Sequence, residues 1–321
     1  MRAVVATQPG PPSVLEVMDL DDPVPGAGQV LVEVEVAAIT FIDTQMRAGT
    51  SPRSPGPFPI VLGNGVGGRV VALGDAVDRS WLGTEVVTST GGSGGYATRA
   101  LASVADLHRL PAGIDLQVAV ALLADGRTAV GLAQAASISE GDTVVVTAAG
   151  GGVGSLLVQL AARAGARVVA LAGDSVKLDL ARSLGAHEAI NYRDADWATR
   201  LDAIAPNGLD VVFDGVGGEV SAVLTDRARK GARYVTHGAS SGTFAGIDND
   251  EAAARDVTVV PLWAIGAGQQ ASFDLVEQAF SLAADGALHP TIGQWFPLER
   301  AAEAHAAIER RATLGKTLLI V

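Results

Sequence analysis

The chain has 321 residues, 48% of them hydrophobic, and 35 acidic side chains against 23 Lys and Arg give it a net charge of −12. An acidic chain without a basic cluster is poorly suited to nucleic acid or an anionic membrane surface. The absence of cysteine excludes disulfides, thiolate-bound zinc and a cysteine nucleophile. MRAVVATQPG at the N-terminus lacks the apolar core of a signal peptide, and no uninterrupted apolar run is long enough to span a bilayer, so a soluble cytoplasmic enzyme is expected.

In chain order, residues 2–6 read as a short apolar strand closed by Pro9-Gly10-Pro11-Pro12, and residues 14–18 resume an extended pattern. Residues 30–38 alternate Val32, Val34 and Val36 against Glu33 and Glu35, the signature of a half-buried strand in an antiparallel sheet. Residues 50–59 are dense in Ser, Pro and Gly and predict a loop; 67–73, 85–88 and 96–100 predict further strands. The first hundred residues are therefore expected to be an all-β unit. After Pro111 the pattern turns helical at 116–123 and 128–136. Strands predicted at 143–147, 167–171, 189–191, 209–213, 232–235 and 257–260 then alternate with helices at 156–164, 176–184, 197–204 and 220–229. That alternation predicts a doubly wound parallel sheet. A helix at 273–284, a helix at 298–310 and a strand at 314–321 follow, the last two expected to return to the first domain.

The most informative stretch is TVVVTAAGGGVGSLLVQLAARA, residues 143–164. A β-branched run suits a strand buried on both faces, the glycines a tight turn, and Leu156, Leu157 and Leu160 the buried face of a helix. Strand, glycine turn and helix together predict a dinucleotide diphosphate at the helix N-terminus, where unpaired N–H groups and the helix dipole favour anions. The spelling is Ala148-x-x-Gly151-x-x-Gly154, with Ala149 breaking the strict G-x-G-x-x-G. Gly151 would admit the diphosphate beside Gly152 and Val153, and Gly154 would let the helix approach the strand.

Beyond this turn, AITFIDTQMRAG, LGNGVGGRVVALG, GGYATRALASVADLHRLPAGI, DGRTAVGL, LGAHEAINYRD, DVVFDGVGG, GARYVTHGASSG and the closing GKTLLIV carry a resemblance over nearly the whole chain. The chain resembles the zinc-independent quinone oxidoreductases of the medium-chain dehydrogenase/reductase superfamily. The resemblance implies a GroES-like β-rich domain over 1–115, completed by 286–321, and a Rossmann domain over 116–285. It also implies a nicotinamide cofactor in the cleft and a homodimer, for which the sixth strand, VTVV, is an edge able to pair. The Cys and His-Glu places of metal-binding relatives hold Asp43 and Gly63-Asn64-Gly65, and the five histidines show no ligand spacing, so no metal is expected. Each histidine reads as a surface or capping residue.

For the cofactor, Gly173 stands where an acid usually holds the NAD ribose, with Asp174 beside it and Lys177 in the first turn of the next helix. In NADPH-using relatives the places of Lys177, Tyr192 and Arg311 contact the 2′-phosphate. NADPH is favoured on this balance; NADH is the alternative if Asp174 binds the ribose hydroxyls rather than capping its helix. Gly238, Ala239 and Leu262 are expected to pass the cofactor after the fifth and sixth strands. Thr128 matches a family threonine that meets the nicotinamide amide or ribose, and Arg127 either meets substrate or is a surface cation. Thr40 and Gln45 stand where the family has Asn and Tyr; Thr40 could donate a hydrogen bond to a substrate oxygen or be satisfied by backbone. Asp43 reads as a cap, and Asp214 as a turn former. The implied reaction is NADPH-dependent, metal-independent hydride transfer to a small-molecule quinone or enone. The alternatives are an enoyl-thioester or other alkene reductase of the same fold, or a crystallin-like or regulatory cofactor-binding protein.

Overall fold

A computed structural model describes residues 1–51 and 56–321 and divides into two compact units, Met1–Ala124 with Ala279–Val321, and Asp125–Gln278. Part of the loop predicted at 50–59 lies outside the described residues.

The first unit begins with β1 (Arg2–Ala6), β2 (Leu15–Asp19), β3 (Gln29–Ile39), α1 (Phe41–Ala48), β4 (Ile60–Val61) and β5 (Gly65–Leu73). It continues with β6 (Glu85–Ser89), β7 (Arg99–Ser103) and β8 (Leu107–Arg109). The alternation in β3 is real, with Val32, Val34 and Val36 buried and Glu33 and Glu35 exposed. The helix α1 corrects the all-β expectation. Its start is fixed by Thr40 and Asp43, three residues apart, which cap it reciprocally, and Gly49 at φ 74° closes it. The strand predicted at 96–100 is displaced to β7, because Tyr96 is held by single backbone bonds to Val4 and Leu62 rather than by a ladder.

A long helix, α2 (Leu116–Ala136), replaces the two predicted ones and carries the change of unit at Ala124. The boundary lies later than the expected 115 because Leu116 and Val120 pack on β5, where a Cβ at Gly67 would come within 2.5 Å of Val120 and 2.7 Å of Leu116. By length and composition α2 is apolar enough to cross a membrane, but Asp125 and Arg127 interrupt it midway and over half of the apolar stretch is buried, as in a core helix.

The second unit contains β9 (Thr143–Val146), α3 (Gly152–Arg163), β10 (Arg167–Ala172), α4 (Ser175–Ser183), β11 (Glu188–Asn191) and α5 (Trp197–Ile204). After these come β12 (Leu209–Asp214), α6 (Gly218–Arg227), β13 (Ala228–Thr236), α7 (Asn249–Ala254), β14 (Thr258–Pro261) and α8 (Gln269–Ala284). Six parallel strands run in the order β11-β10-β9-β12-β13-β14, so the chain reverses direction across the sheet between β9 and β12. This is a Rossmann-type doubly wound sheet, whose ligands bind beyond the C-terminal strand ends at that reversal. Its core is Val145, Val169, Leu171, Val212 and Tyr234, all fully buried.

After α8 the chain adds β15 (Ile292–Pro297), α9 (Ala301–Glu309) and β16 (Lys316–Ile320) to the first unit. There β16 pairs antiparallel with β3 and parallel with β15, in a GroES-like, mostly antiparallel sheet ordered β15-β16-β3-β5-β6-β8 with β7 added on β3.

Candidate functional site

The turn after β9 is shaped by what glycine permits. At Gly154 an added Cβ would lie 2.3 Å from the Ala148 carbonyl oxygen and 3.0 Å from the Ala149 Cα, so α3 starts hard against the strand end. Ala148 adopts φ 49°, in the left-handed region, and its carbonyl accepts the Gly151 amide at 2.9 Å. Gly151 is the residue preceding α3, where a Cβ would meet only that carbonyl, at 3.2 Å, so the approach to the helix start is open. At Gly152 a Cβ would fall 1.9 Å from the Asp125 Oδ2, which places one carboxylate at the first turn of α3. The positive helix end thus already draws an anion, and Val153 continues the same turn. Gly154→Ala is expected to cost about 2–3 kcal/mol, because backbone rather than a flexible side chain must give way; an unchanged denaturation midpoint would refute the close approach.

Side chains from three segments gather at the ends of β10 and β11. The Lys177 stem crosses the turn, since a Cβ on Gly150 would lie 2.5 Å from its Cγ. Parallel register sets Asn191 opposite Ala172, bringing the next two residues beside Gly173. A Cβ on Gly173 would sit 3.1 Å from the Tyr192 hydroxyl and 3.0 Å from the Arg193 Nε. Asp174 caps α4: its Oδ1 accepts the Lys177 amide at 2.9 Å, and its Oδ2 pairs with Lys177 Nζ at 3.0 Å. Partial burial pushes this carboxyl up, but the Lys177 amide and ammonium and the Arg193 charge outweigh it and hold it below the usual carboxylate range. Both oxygens are therefore engaged, and the capping role is the one observed.

Arg193 is the residue that sequence reasoning missed. It is exposed, and among the described residues its guanidinium forms no ion pair. Two cations and a phenol around one carboxylate leave a net positive pocket suited to a phosphate. The last strand residue before Tyr192 and its parallel partner were the available signal.

At the ends of β12 and β13, Asp214 accepts from the Thr147 hydroxyl at 3.2 Å and from the Val216 and Gly217 amides at 3.0 and 3.1 Å. It also accepts from Ser221 and Tyr234, so it organises the turn. Gly238 passes close by: its Cβ would be 2.8 Å from the Gly215 carbonyl oxygen, and Ala239 beyond it is buried. Leu262 follows β14 and is 41% exposed. Thr128 is half-buried on α2; the neighbouring Arg127 donates to the Ser272 hydroxyl at 3.1 Å, which anchors it to α8.

In the first unit, the Thr40 amide and hydroxyl both donate to Asp43 Oδ2 at 2.7 Å. Of the two readings open for Thr40, a substrate donor or a locally satisfied hydroxyl, this geometry is the local one, although the partner is the Asp43 carboxyl and not backbone. Burial raises the Asp43 carboxyl, against the Thr40 donors and the Lys316 charge. Gln45 is half-buried on α1, and Arg311 follows α9 in a left-handed conformation, φ 58°. The Asn64 Oδ1 accepts the Gly92 amide at 2.6 Å, a turn role.

The histidines also need correction. His108 and His305 are core residues, His108 edge-on to Phe280 and His305 with its Nε2 3.1 Å from the Tyr96 hydroxyl, because their faces of strand and helix pack inward. His187 does act as a cap, accepting the Val168 amide at 3.1 Å. Among the described residues no group of three or more His, Cys, Asp or Glu could hold a metal.

Residues 26–112 match the alcohol dehydrogenase GroES-like domain and residues 184–319 the zinc-binding dehydrogenase family. A probable quinone oxidoreductase of Schizosaccharomyces pombe is 33% identical over 99% of this chain and 96% of its own. A 2-haloacrylate reductase of a Burkholderia species is 31% identical over 100% and 98%. The crystal structure of Escherichia coli quinone oxidoreductase complexed with NADPH covers 100% of both chains with a TM-score of 0.92 at 28% identity.

Proposed function

Because the chain belongs to the quinone oxidoreductase family of the medium-chain dehydrogenase/reductase superfamily, we propose that it is an NADPH-dependent, metal-independent reductase of quinones or other conjugated carbonyls. The observation that carries the cofactor choice is the gathering of Lys177, Tyr192 and Arg193 around Gly173, with both Asp174 oxygens already engaged. An acid free to hold a ribose 2′-hydroxyl would favour NADH; a capped and paired acid beside two cations favours a 2′-phosphate. The open start of α3 at Gly151 suits the diphosphate.

Bound there, the reduced nicotinamide supplies hydride to an electron-poor acceptor. The chain's part is to bind, orient and polarise. We assign Thr128 to the nicotinamide carboxamide or ribose, and Thr40 and Gln45 to the acceptor. The Thr40 hydroxyl, 2.7 Å from Asp43 Oδ2, would meet the acceptor oxygen through a hydroxyl–carboxyl pair. The zinc places are taken by Asp43 and by the turn around Asn64.

A second reading, an alkene reductase, is supported by the similarity to a 2-haloacrylate reductase. The test is NADPH consumption with 1,4-benzoquinone, 9,10-phenanthrenequinone, 2-cyclohexenone and 2-chloroacrylate. Turnover of the quinones or the enone is expected. Turnover of 2-chloroacrylate alone would favour the second reading, and tight NADPH binding without turnover on any of the four would leave a binding protein.

A further inference from the structure

We propose that Asp125 is a built-in competitor of the cofactor: its carboxylate holds the positive end of α3 in the empty protein, opposes the dinucleotide diphosphate there, and so sets its affinity. The inference rests on the proposed function. Asp125 comes from α2 and lies in the same compact unit as α3. It is half-buried, not enclosed. A Cβ on Gly152, the first residue of α3, would fall 1.9 Å from its Oδ2 and 3.0 Å from its Cγ. The carboxylate is thus seated on the bare Cα of a residue that the diphosphate is expected to approach.

Helix α3 supplies no anion of its own. Gly151 before it makes no side-chain cap, and its first turn carries no acid. A helix start in this condition leaves N–H groups and a partial positive charge to be met from outside. Asp125 meets that charge in the empty protein. Gly151 is open on the same turn, since a Cβ there would touch only the Ala148 carbonyl oxygen, at 3.2 Å. A diphosphate entering at Gly151 therefore arrives beside a carboxylate, and both draw on one helix end. Like charges so placed repel. The side chain that stabilises the empty site weakens the filled one. In a reductase that releases its spent cofactor at every turnover, this opposition limits how tightly the cofactor is held.

The test is calorimetric titration of the purified protein with NADPH and NADH, beside the melting temperature without ligand. Asp125→Asn keeps the shape and removes the charge. It is expected to lower the Kd for both cofactors roughly tenfold, since both carry the diphosphate. It is also expected to lower the melting temperature of the ligand-free protein by a few degrees. Asp125→Ser should move both readings the same way. A residue that merely supports the turn would instead weaken binding as stability fell. An unchanged or raised NADPH Kd overturns the inference and leaves the proposed function standing. A gain confined to NADPH overturns it too, since that would put the carboxylate at the 2′-phosphate and not at the diphosphate. A wild-type protein that binds neither cofactor removes the proposed function, and this inference with it.

Discussion

Lys177→Ala is expected to lower kcat/KM for NADPH by roughly 10- to 100-fold, the loss of one charge-assisted hydrogen bond to phosphate, and to leave NADH nearly unchanged or improved. The improvement has a specific source. Lys177 Nζ occupies the Asp174 Oδ2 at 3.0 Å, and removing it frees that oxygen for a ribose hydroxyl. The cap is kept, because the Lys177 amide that Oδ1 accepts belongs to the backbone. Arg193→Ala should act in the same direction with a smaller effect, since its exposed guanidinium works in a higher dielectric. The two substitutions share one ligand group, so the double variant should fall short of the product of the singles. Steady-state kinetics with both cofactors checks this. Equal losses for NADPH and NADH would mean that the lysine supports the turn and not the phosphate.

The protein is also expected to lose stability in mild acid through its enclosed histidines. His305 is fully buried, and burial, together with the Arg47 charge, lowers its pKa from 6.5 to about 3. His237 is lowered to about 4 by burial. The folded chain holds both neutral, whereas the unfolded chain protonates them below about 6.5. Their contribution is complete above 6.5 and is lost as the pH falls toward 4 for His237 and toward 3 for His305. By pH 5 the His305 linkage alone removes about 2 kcal/mol, a sizeable share of a typical 5–15 kcal/mol. Asp43 works with the opposite sign: its raised pKa makes the folded chain the better proton binder between 3.8 and its folded value, so it offsets part of the loss at the acid end. Urea denaturation at pH 7, 6 and 5 should show the midpoint falling, and His305→Gln should flatten the dependence. A midpoint unchanged between pH 7 and 5 would refute the enclosed neutral state of His305.

The parts of the fold legible in the sequence were those with a period. The β-branched runs of β9, β10 and β12 and the alternation of β3 announce strands because burial on two faces or one writes itself into every residue or every second one. The helix α1 was not legible: its signal is the Thr40–Asp43 pair, easily read as a strand end and an isolated acid. β15 was hidden by Gly293, whose Cβ would lie 2.3 Å from the Leu314 carbonyl oxygen and which breaks the apolar pattern where backbones meet. In the site, Lys177 and Tyr192 could be placed by resemblance. Arg193 needed the register of β10 on β11. That is a property of strand pairing, to which no local pattern of residues points.

The contact between Gly150 and the Lys177 stem changes how the glycine run itself is to be understood. Gly150 is bare on account of a distant lysine and not of a phosphate, so the two positions are constrained as a pair. The Lys177 Cβ itself would lie 2.6 Å from a Cβ at Gly150, so even a short side chain at that place on α4 keeps the position bare, and the glycine run is set by helix packing as well as by what the turn binds.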